Sequence, residues 1–421
     1  MIFKVSLRLF TLTGLRNRKP GKLLPFRTMA SYNSRHPQST SKQNVLSDIR
    51  KEKRIPLDSN YTKPGPEVKI MSYNILSQVL LEKHTELYIG NNRKYLAWEY
   101  RKQLLYKELR DSNVDFLCLQ EVEEEILADL SMYLSTYGYK YVYKKRTSFN
   151  VDGCALFYLE KKFNLHSYSC LEFFKPDVQQ LDRHNIAIVA TFSLANSDRQ
   201  VVVATTHILF NQKRQDIKLM QIQMLFTEVD RQAFISEDNY RPILITGDFN
   251  FNETSPVYSF ITEGHIDLNY VNKRSLLPMD RQDTRYHLRS TDLLPPVLGI
   301  TDQCSYVKEF GKRNNLNTLY LRNEELVEET TNQTIANMFL SKQLSHNLKL
   351  SNVFETEVGQ VASTYHDEWR YVDFIFYNKK NKCPVKNEYK LQLVSYVTLP
   401  TPLQCEELVC HMPNEFCPSD H

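Results

Sequence analysis

Five apolar runs in this chain end on, or enclose, a side chain able to ligate a cation or move a proton. They are "MSYNIL" with Asn74, "LCLQEV" with Glu121, "VATTH" with His207, "ITGDFN" with Asp248 and Asn250, and "YVDFIF" with Asp373. A carboxylate on a buried strand is unfavourable unless it is paired or metal-bound. Such groups on several separate strands point to one shared site. Carboxylates and amides are hard oxygen ligands suited to Mg2+, which keeps several waters and takes only one or two protein carboxylates. Beside a phosphate, such a cation polarises the phosphorus centre while a carboxylate accepts a proton from attacking water. An amide such as Asn250 orients a phosphate without adding negative charge, and an imidazolium neutralises charge developing on the phosphoryl oxygens. The combination is metal-assisted hydrolysis of a phosphoester. The final stretch, "PNEFCPSDH", adds Asp420 and His421, an Asp-His pair of the kind that fixes an imidazole's tautomer and stabilises its cation.

The elements that must position these groups are legible as short apolar runs. Residues 68–76, 114–122, 153–159, 186–194, 201–209, 242–250 and 371–377 are rich in Val, Ile, Phe and Tyr and bounded by turn formers, and each predicts a buried strand. Between them, "KYLAWEYRKQLLYKELRDS" and "KRQDIKLMQIQMLFTEVDRQAFI" carry apolar residues at helical spacing. "SPVYSFITEG" opens on Ser-Pro and closes on Gly, a capped short helix. Strands mixed with helices over the body predict one α/β or α+β domain with two sheets. The stretch 273–345 is poorer in pattern, and "NLNTLYLRNEELVEETTNQT" reads as a polar insertion or helical excursion.

Composition bounds the rest. At 421 residues, 42% hydrophobic and 24% charged, the chain has an ordinary globular make-up, and no run of 18 apolar residues predicts a membrane span. The eight cysteines form no CxxC pair, and free buried thiols are expected. There is no GxxxxGK[ST], no GxGxxG after a strand and no GxSxG, so nucleotide-driven, dinucleotide and serine-hydrolase readings find no support in the sequence. Residues 1–47 hold nine Lys or Arg and no acid; removing those nine from 53 leaves 44 basic against 49 acidic residues. A nucleic-acid contact must therefore use a local basic patch. Residues 1–60 read as an extension and linker, with the composition of an organelle transit peptide or of a disordered basic tail, and the domain is expected over 61–421. Cytoplasmic and mitochondrial locations are both compatible with this.

"SYNIL", "LQEV", "TH" after an apolar strand, "GDFN", "VDFIFY" and terminal "SDH", in that order, resemble the endonuclease/exonuclease/phosphatase superfamily. The phrases "YNILSQVLL", "DGCALFY", "FNQKRQDIKLMQ", "SPVYSFITEG" and "LSHNLKLSNVFE" are similar to the Angel branch of its nocturnin and carbon-catabolite-repressor deadenylase group. The resemblance spans residues 67–421. It implies an α+β fold, a four-layer α/β sandwich with two packed mixed β-sheets flanked by helices. Relatives continue past the last His into a closing apolar strand, so the sheet here is expected to lack that strand, and His421 to carry an α-carboxylate beside the site. The leucine-rich docking module of the deadenylases is absent, as it is from the Angel branch.

The resemblance also distributes roles. Glu121 would be the principal ligand of Mg2+, or of Mn2+ in its place, with Asn74 beside it and Asp420 holding metal or positioning His421. Asp248 would orient or deprotonate the nucleophilic water, and Asn250 would lie on the phosphate. His207 and His421 would stabilise the phosphorane, with Asp373 fixing the tautomer of His421. Asp152, Asn185 and Asn211 match polar positions near substrate. Arg183, Lys213 and Arg214, with Lys144, Lys145 and Arg146, are candidates for tracking a single-stranded RNA backbone near its 3′ end; Lys161 and Lys162 read as solvated. Phe149, Phe210 and Tyr365 could stack a base, with core packing the simpler expectation for each. Three readings stay open: an RNA 3′-end phosphodiesterase (exonuclease or 2′,3′-cyclic phosphatase), a catalytically impaired RNA-binding or scaffold protein, and a relative acting on DNA or inositol phosphates.

Overall fold

Alternation along the apolar runs sorts the core into two layers. In a strand, successive side chains point to opposite faces. Val68 and Ile70 with Phe116, Cys118, Leu156 and Tyr158 therefore face one way, while Met71 and Tyr73 with Leu117, Leu119, Ala155, Phe157 and Leu159 face the other. The first set packs against a second sheet; the second set packs against two helices through Leu105, Leu109, Leu127, Leu130 and Leu134. The computed structural model describes residues 3–11, 45, 49–56, 64–236, 239–271, 293–314, 320–322, 325–327, 338–339, 343–366, 368–378 and 389–421.

The larger sheet has seven strands: β1 (Phe3–Thr11), β2 (Glu52–Arg54), β3 (Pro64–Asn74), β4 (Phe116–Glu123), β5 (Tyr139–Lys145), β6 (Asp152–Leu159) and β13 (Tyr389–Val397), in the spatial order β2-β13-β1-β3-β4-β6-β5. The smaller has six: β7 (Phe163–Glu172), β8 (Ile186–Leu194), β9 (Gln200–His207), β10 (Ile243–Asp248), β11 (Leu350–Asn352) and β12 (Asp373–Asn378), in the order β11-β12-β10-β9-β8-β7. Only β3–β4 and β9–β10 pair in parallel, so both sheets are mixed. Helices α1 (Gln78–Lys83), α2 (Trp98–Asp111) and α3 (Glu124–Ser135) follow β3 and β4. Helices α4 (Gln215–Ala233) and α5 (Pro256–Glu263) carry residues of the inter-sheet core cluster that extends over the smaller sheet. This is the four-layer arrangement expected from the sequence.

All seven strands read from the sequence form, with ends shifted by at most a few residues. Strands β5, β7, β11 and β13 were not among them; β5 and β7 have exposed or half-buried positions that break the apolar run. Strands β1 and β2 lie within residues 1–60, ahead of where the sequence places the start of the domain. Most of the stretch 273–345 lies outside the described residues. Within the polar insertion, Tyr320–Arg322 and Glu325–Val327 pair as a short antiparallel ribbon, not a helix. Among the described cysteines all are free, and Cys118, Cys154, Cys304, Cys405 and Cys417 are buried.

One buried histidine is structural. His346 lies between Phe226 of α4 and Phe260 of α5, with ring centroids 4.7 and 5.1 Å away. Its Nε2 donates to the Phe260 carbonyl at 3.0 Å, and Nδ1 accepts from Leu348 N at 3.3 Å, which selects the neutral Nε2–H tautomer. Burial pushes its pKa down to about 4. The unfolded chain takes a proton on this ring below about pH 6.5 and the native pocket does not. Its share of stability is therefore intact above pH 6.5 and falls by about 3 kcal/mol as pH drops to 4. Urea melts across that range are expected to show a shallower loss for His346→Gln than for the wild-type chain.

Candidate active site

Backbone register assembles the site. On the smaller sheet, Asp248 of β10 lies directly opposite His207 of β9 and Asp373 of β12, so one cross-strand row carries all three side chains on the same face. On the larger sheet, Asn74 at the end of β3 pairs with Gln120 of β4. The pairing of β4 with β6 then slips between Leu119 and Val122, a bulge in which Gln120 and Glu121 together oppose Cys154. Glu121 adopts φ 58°, and the bulge turns its side chain to the inter-sheet side beside Gln120. Gln120 reaches across to Thr205 Oγ1 (3.0 Å), and Glu121 Oε1 accepts from Asn74 Nδ2 (2.8 Å). Asn250 is also left-handed, φ 52°. At Gly247, φ is 151° and a Cβ would lie 2.1 Å from the Thr206 carbonyl oxygen, so only glycine can precede Asp248.

Asp248 joins the two halves. Its Oδ2 accepts from Asn74 Nδ2 at 3.1 Å and lies 3.4 Å from His207 Nε2 and 3.6 Å from His421 Nε2; its Oδ1 accepts from Asn250 N at 3.0 Å. His421 Nδ1 is 2.8 Å from Asp373 Oδ2, the geometry that orients an imidazole and favours its cation. Glu121 Oε2 accepts from Ser77 N (2.9 Å), and Asp420 Oδ2 from Tyr88 Oη (2.7 Å). Glu121 and His207 are each 9% exposed against 1% for Asp248 and Asp373, so the cluster opens to solvent on the Glu121–His207 side.

The electrostatics are those of an acid-rich, dry site. Burial, then Asp420 and Asp152, raise the Glu121 carboxyl to about 7. Burial and Asp373 raise Asp248, against the pull of His421. Burial opposes charge on His421, but Asp373 and Asp248 outweigh it and lift its pKa to about 10. His207 is pushed well below its usual value, first by burial and then by Arg146 and His421, and is a neutral imidazole at pH 7. Glu121, Asp248, Asp373 and Asp420 thus gather more acid groups than the one imidazolium beside them can balance, and among the described residues Asp373 Oδ1 is buried with no hydrogen-bond partner. Glu121, His207 and Asp248 each offer a ligand atom within 4.8 Å of the others, as do Asp248, Asp373 and His421. This donor set fits a divalent cation.

Asn74, Glu121, His207, Asp248, Asn250, Asp373, Asp420 and His421 thus come together. Asn74 faces Glu121 and Asp248 with its Nδ2, and its Oδ1 is taken by Leu76 N (3.0 Å). Asn250 Nδ2 donates to the Ile208 carbonyl (3.2 Å). Asn185 stands behind His207, donating to its carbonyl at 3.1 Å, and Asp152 faces Arg146 at 3.3 Å. The other expected substrate contacts lie outside the cluster with local partners. Arg214 pairs with Asp216 (2.8 Å), Arg183 with Asp182, and exposed Asn211 accepts from Lys213 N. Lys144 and Lys145 face Glu172 and Glu124, while Lys162 is tied to Asp115 (2.6 Å) and is not merely solvated. Phe149 and Phe210 are 97% and 57% exposed, so core packing is wrong for both; Tyr365 is half-buried against Trp369.

Sequence reading missed the clamps. Arg101 of α2 is fully buried; it donates to the carbonyls of Pro418 (2.6 Å), Ile75 (2.7 Å) and Leu76 and to Gln78 Oε1 (2.8 Å). Ser419 Oγ donates to the Asn74 carbonyl (2.7 Å). These bonds fasten the last residues to the end of β3. Lys218 of α4 likewise bridges the carbonyls of Leu209 and Asn250 (2.5 and 2.6 Å), joining the loops that follow His207 and Asp248. The signal for Lys218 was its place within "FNQKRQDIKLMQ"; an arginine in an amphipathic helix gives none.

A match to the endonuclease/exonuclease/phosphatase family covers residues 71–421. The chain belongs to that family. Protein angel homolog 2 of Homo sapiens is 33% identical over 329 residues, 75% of this chain and 59% of its own length; that of Mus musculus is 31% identical over 375 residues, 84% and 68%. This chain therefore spans about three fifths of the human relative's length. The crystal structure of ANGEL2, described as a 2′,3′-cyclic phosphatase, superposes with a TM-score of 0.69 at 32% identity, covering 84% of this chain and 92% of that one. A further ANGEL2 structure holds adenosine-2′,3′-vanadate.

Replacing Arg101 by Met keeps the bulk and removes the fork, leaving buried carbonyls unpaired. A stability loss of about 3 kcal/mol is expected from denaturant melts, and Arg101→Lys, a point charge without the planar fork, is expected to recover less than half of it.

Proposed function

We propose that this protein is a divalent-metal-dependent phosphoesterase of RNA 3′ ends that opens a terminal 2′,3′-cyclic phosphate. The supporting observation is the Asp248 row, with neutral His207 on one side and the Asp373–His421 pair on the other, in a fold that superposes on a 2′,3′-cyclic phosphatase at 32% identity. Exonucleolytic shortening uses the same activated water on an internal phosphodiester and is the alternative that the assay below separates.

Glu121 and Asp420, with Asn74 beside them, would hold Mg2+ or Mn2+. Bound there, the cation would polarise the phosphoryl group and lower the pKa of water. Asp248, fixed by Asn74 and by Asn250 N, accepts the proton of the attacking water. His421 stays protonated because Asp373 and Asp248 favour its cation, and it faces the charge that develops on the phosphoryl oxygens. Neutral His207 offers a hydrogen bond at the open side of the cluster. Water adds to phosphorus, one ring P–O bond breaks, and the released alkoxide takes up a proton to give a 2′- or 3′-phosphomonoester. The exposed ring of Phe149 lies on the loop between Arg146 and Asp152, where a terminal base could stack.

The test pairs two RNAs of one sequence, ending in 3′-OH or in 2′,3′-cyclic phosphate, with purified protein and Mg2+. Loss of the cyclic end without shortening is expected, and a ladder of shortened products from both RNAs would replace this reading by the exonuclease. Glu121→Ala and excess EDTA should each remove turnover. Asp373→Asn, which leaves His421 without its anionic partner, is expected to lower kcat by about 10²–10⁴-fold. RNA binding with no turnover above the Glu121→Ala blank would favour a binding protein instead.

A further inference from the structure

Residues Phe3–Thr11 of the basic N-terminal stretch lie inside the larger sheet. Strand β1 is third of seven, paired antiparallel on both sides: Val5 opposes Ile70 of β3 and Tyr396 of β13, and Leu7 opposes Val68 and Leu393. Val5 and Leu7 are 1% and 0% exposed and belong to the inter-sheet core. On the other face, Ser6 Oγ and the Arg8 guanidinium both reach Glu67, the latter at 3.4 Å. Within Phe3–Thr11, Val5 and Leu7 on one face and Ser6 and Arg8 on the other give the alternation of a half-buried strand.

The position of β1 gives it a structural task. Strand β13 meets the rest of the sheet only through β1, since its other neighbour is the three-residue β2. Neighbouring strands stand about 4.8 Å apart, so β3 and β13 are separated by roughly 10 Å and cannot pair without a strand between them. Strand β3 ends at Asn74, and β13 leads into residues 398–421, which end at Asp420 and His421. Both walls of the groove therefore lead to the site.

We propose that Phe3–Thr11 is a donor strand. The groove between β3 and β13 is a strand-binding site for a segment with apolar side chains at alternate positions, and its occupancy holds the Asp420–His421 segment against Asn74. Main-chain bonds on two edges supply affinity, and the Val5 and Leu7 positions supply selectivity. The inference rests on pairing and burial, independently of which phosphoester is the substrate.

The experiment compares the full chain with one starting at Met29. The shorter chain is expected to melt on the order of 10 °C lower. A synthetic peptide of residues 1–14 should bind it saturably and restore the melting temperature, while a peptide carrying Val5→Asp and Leu7→Asp should do neither. Equal melting of the two chains with no peptide binding would overturn the proposal. Should the shorter chain not fold, a protease site placed between residues 29 and 40 of the full chain allows cleavage after folding. The released N-terminal piece is then expected to co-elute with the body; its separation with no fall in the body's melting temperature would overturn the proposal equally.

Discussion

Everything at the site depends on keeping the Asp248 carboxylate buried between two sheets and ionisable. An isolated carboxylate in such a place would simply hold its proton. Here Asn74 arrives from the larger sheet, Asn250 N from the following turn, and two imidazoles flank it within 3.6 Å. The interaction is also a constraint on register. A slip of one residue in β10 would send Asp248 to the opposite face and break the row with His207 and Asp373. Sheet pairing and chemistry are therefore specified by the same hydrogen bonds.

Bringing acids from two sheets to one point requires unusual backbone. Glu121 and Asn250 occupy the left-handed region without being glycine, at a cost of roughly 1–3 kcal/mol each. The bulge in β4 places Gln120 and Glu121 on the same side, so one side chain ties the sheets together while the next faces the cleft. Buried basic side chains then hold the loops. Lys218 joins the ends of β9 and β10, and its pKa is lowered to about 7 by burial, against the pull of Asp248. Arg101 and Ser419 do the equivalent for β3 and the terminal segment.

Charge outside the cluster is nearly self-neutralising. Arg183, Arg214, Lys144 and Lys145 each face an acid close by, in keeping with a body that has more acidic than basic residues. Partly exposed pairs of this kind are weak, so a polyanion competes for the cations without disrupting the fold. The imidazolium that faces Asp248 is His421, and Asp373 and Asp248 favour its charge.

By itself the sequence determined the seven apolar strands, the main helices and the polar groups at their ends, because period-two apolar runs closed by turn formers have few other ways to bury themselves. The order of the motifs then carried the family. Strands with exposed faces, such as β5 and β7, were invisible because half of their pattern is polar. Only the tertiary structure decided which candidates converge. Arg183 and Arg214 are of the right type but each is held by a neighbouring acid, whereas Arg101 and Lys218 are ordinary helix residues until three-dimensional packing buries them against carbonyls. The N-terminal segment shows the same divide: a short alternating basic run has no fixed meaning until β3 and β13 supply edges for it to pair with. Strand pairing and buried-charge compensation join residues hundreds of positions apart, and no local pattern encodes which partner will be there.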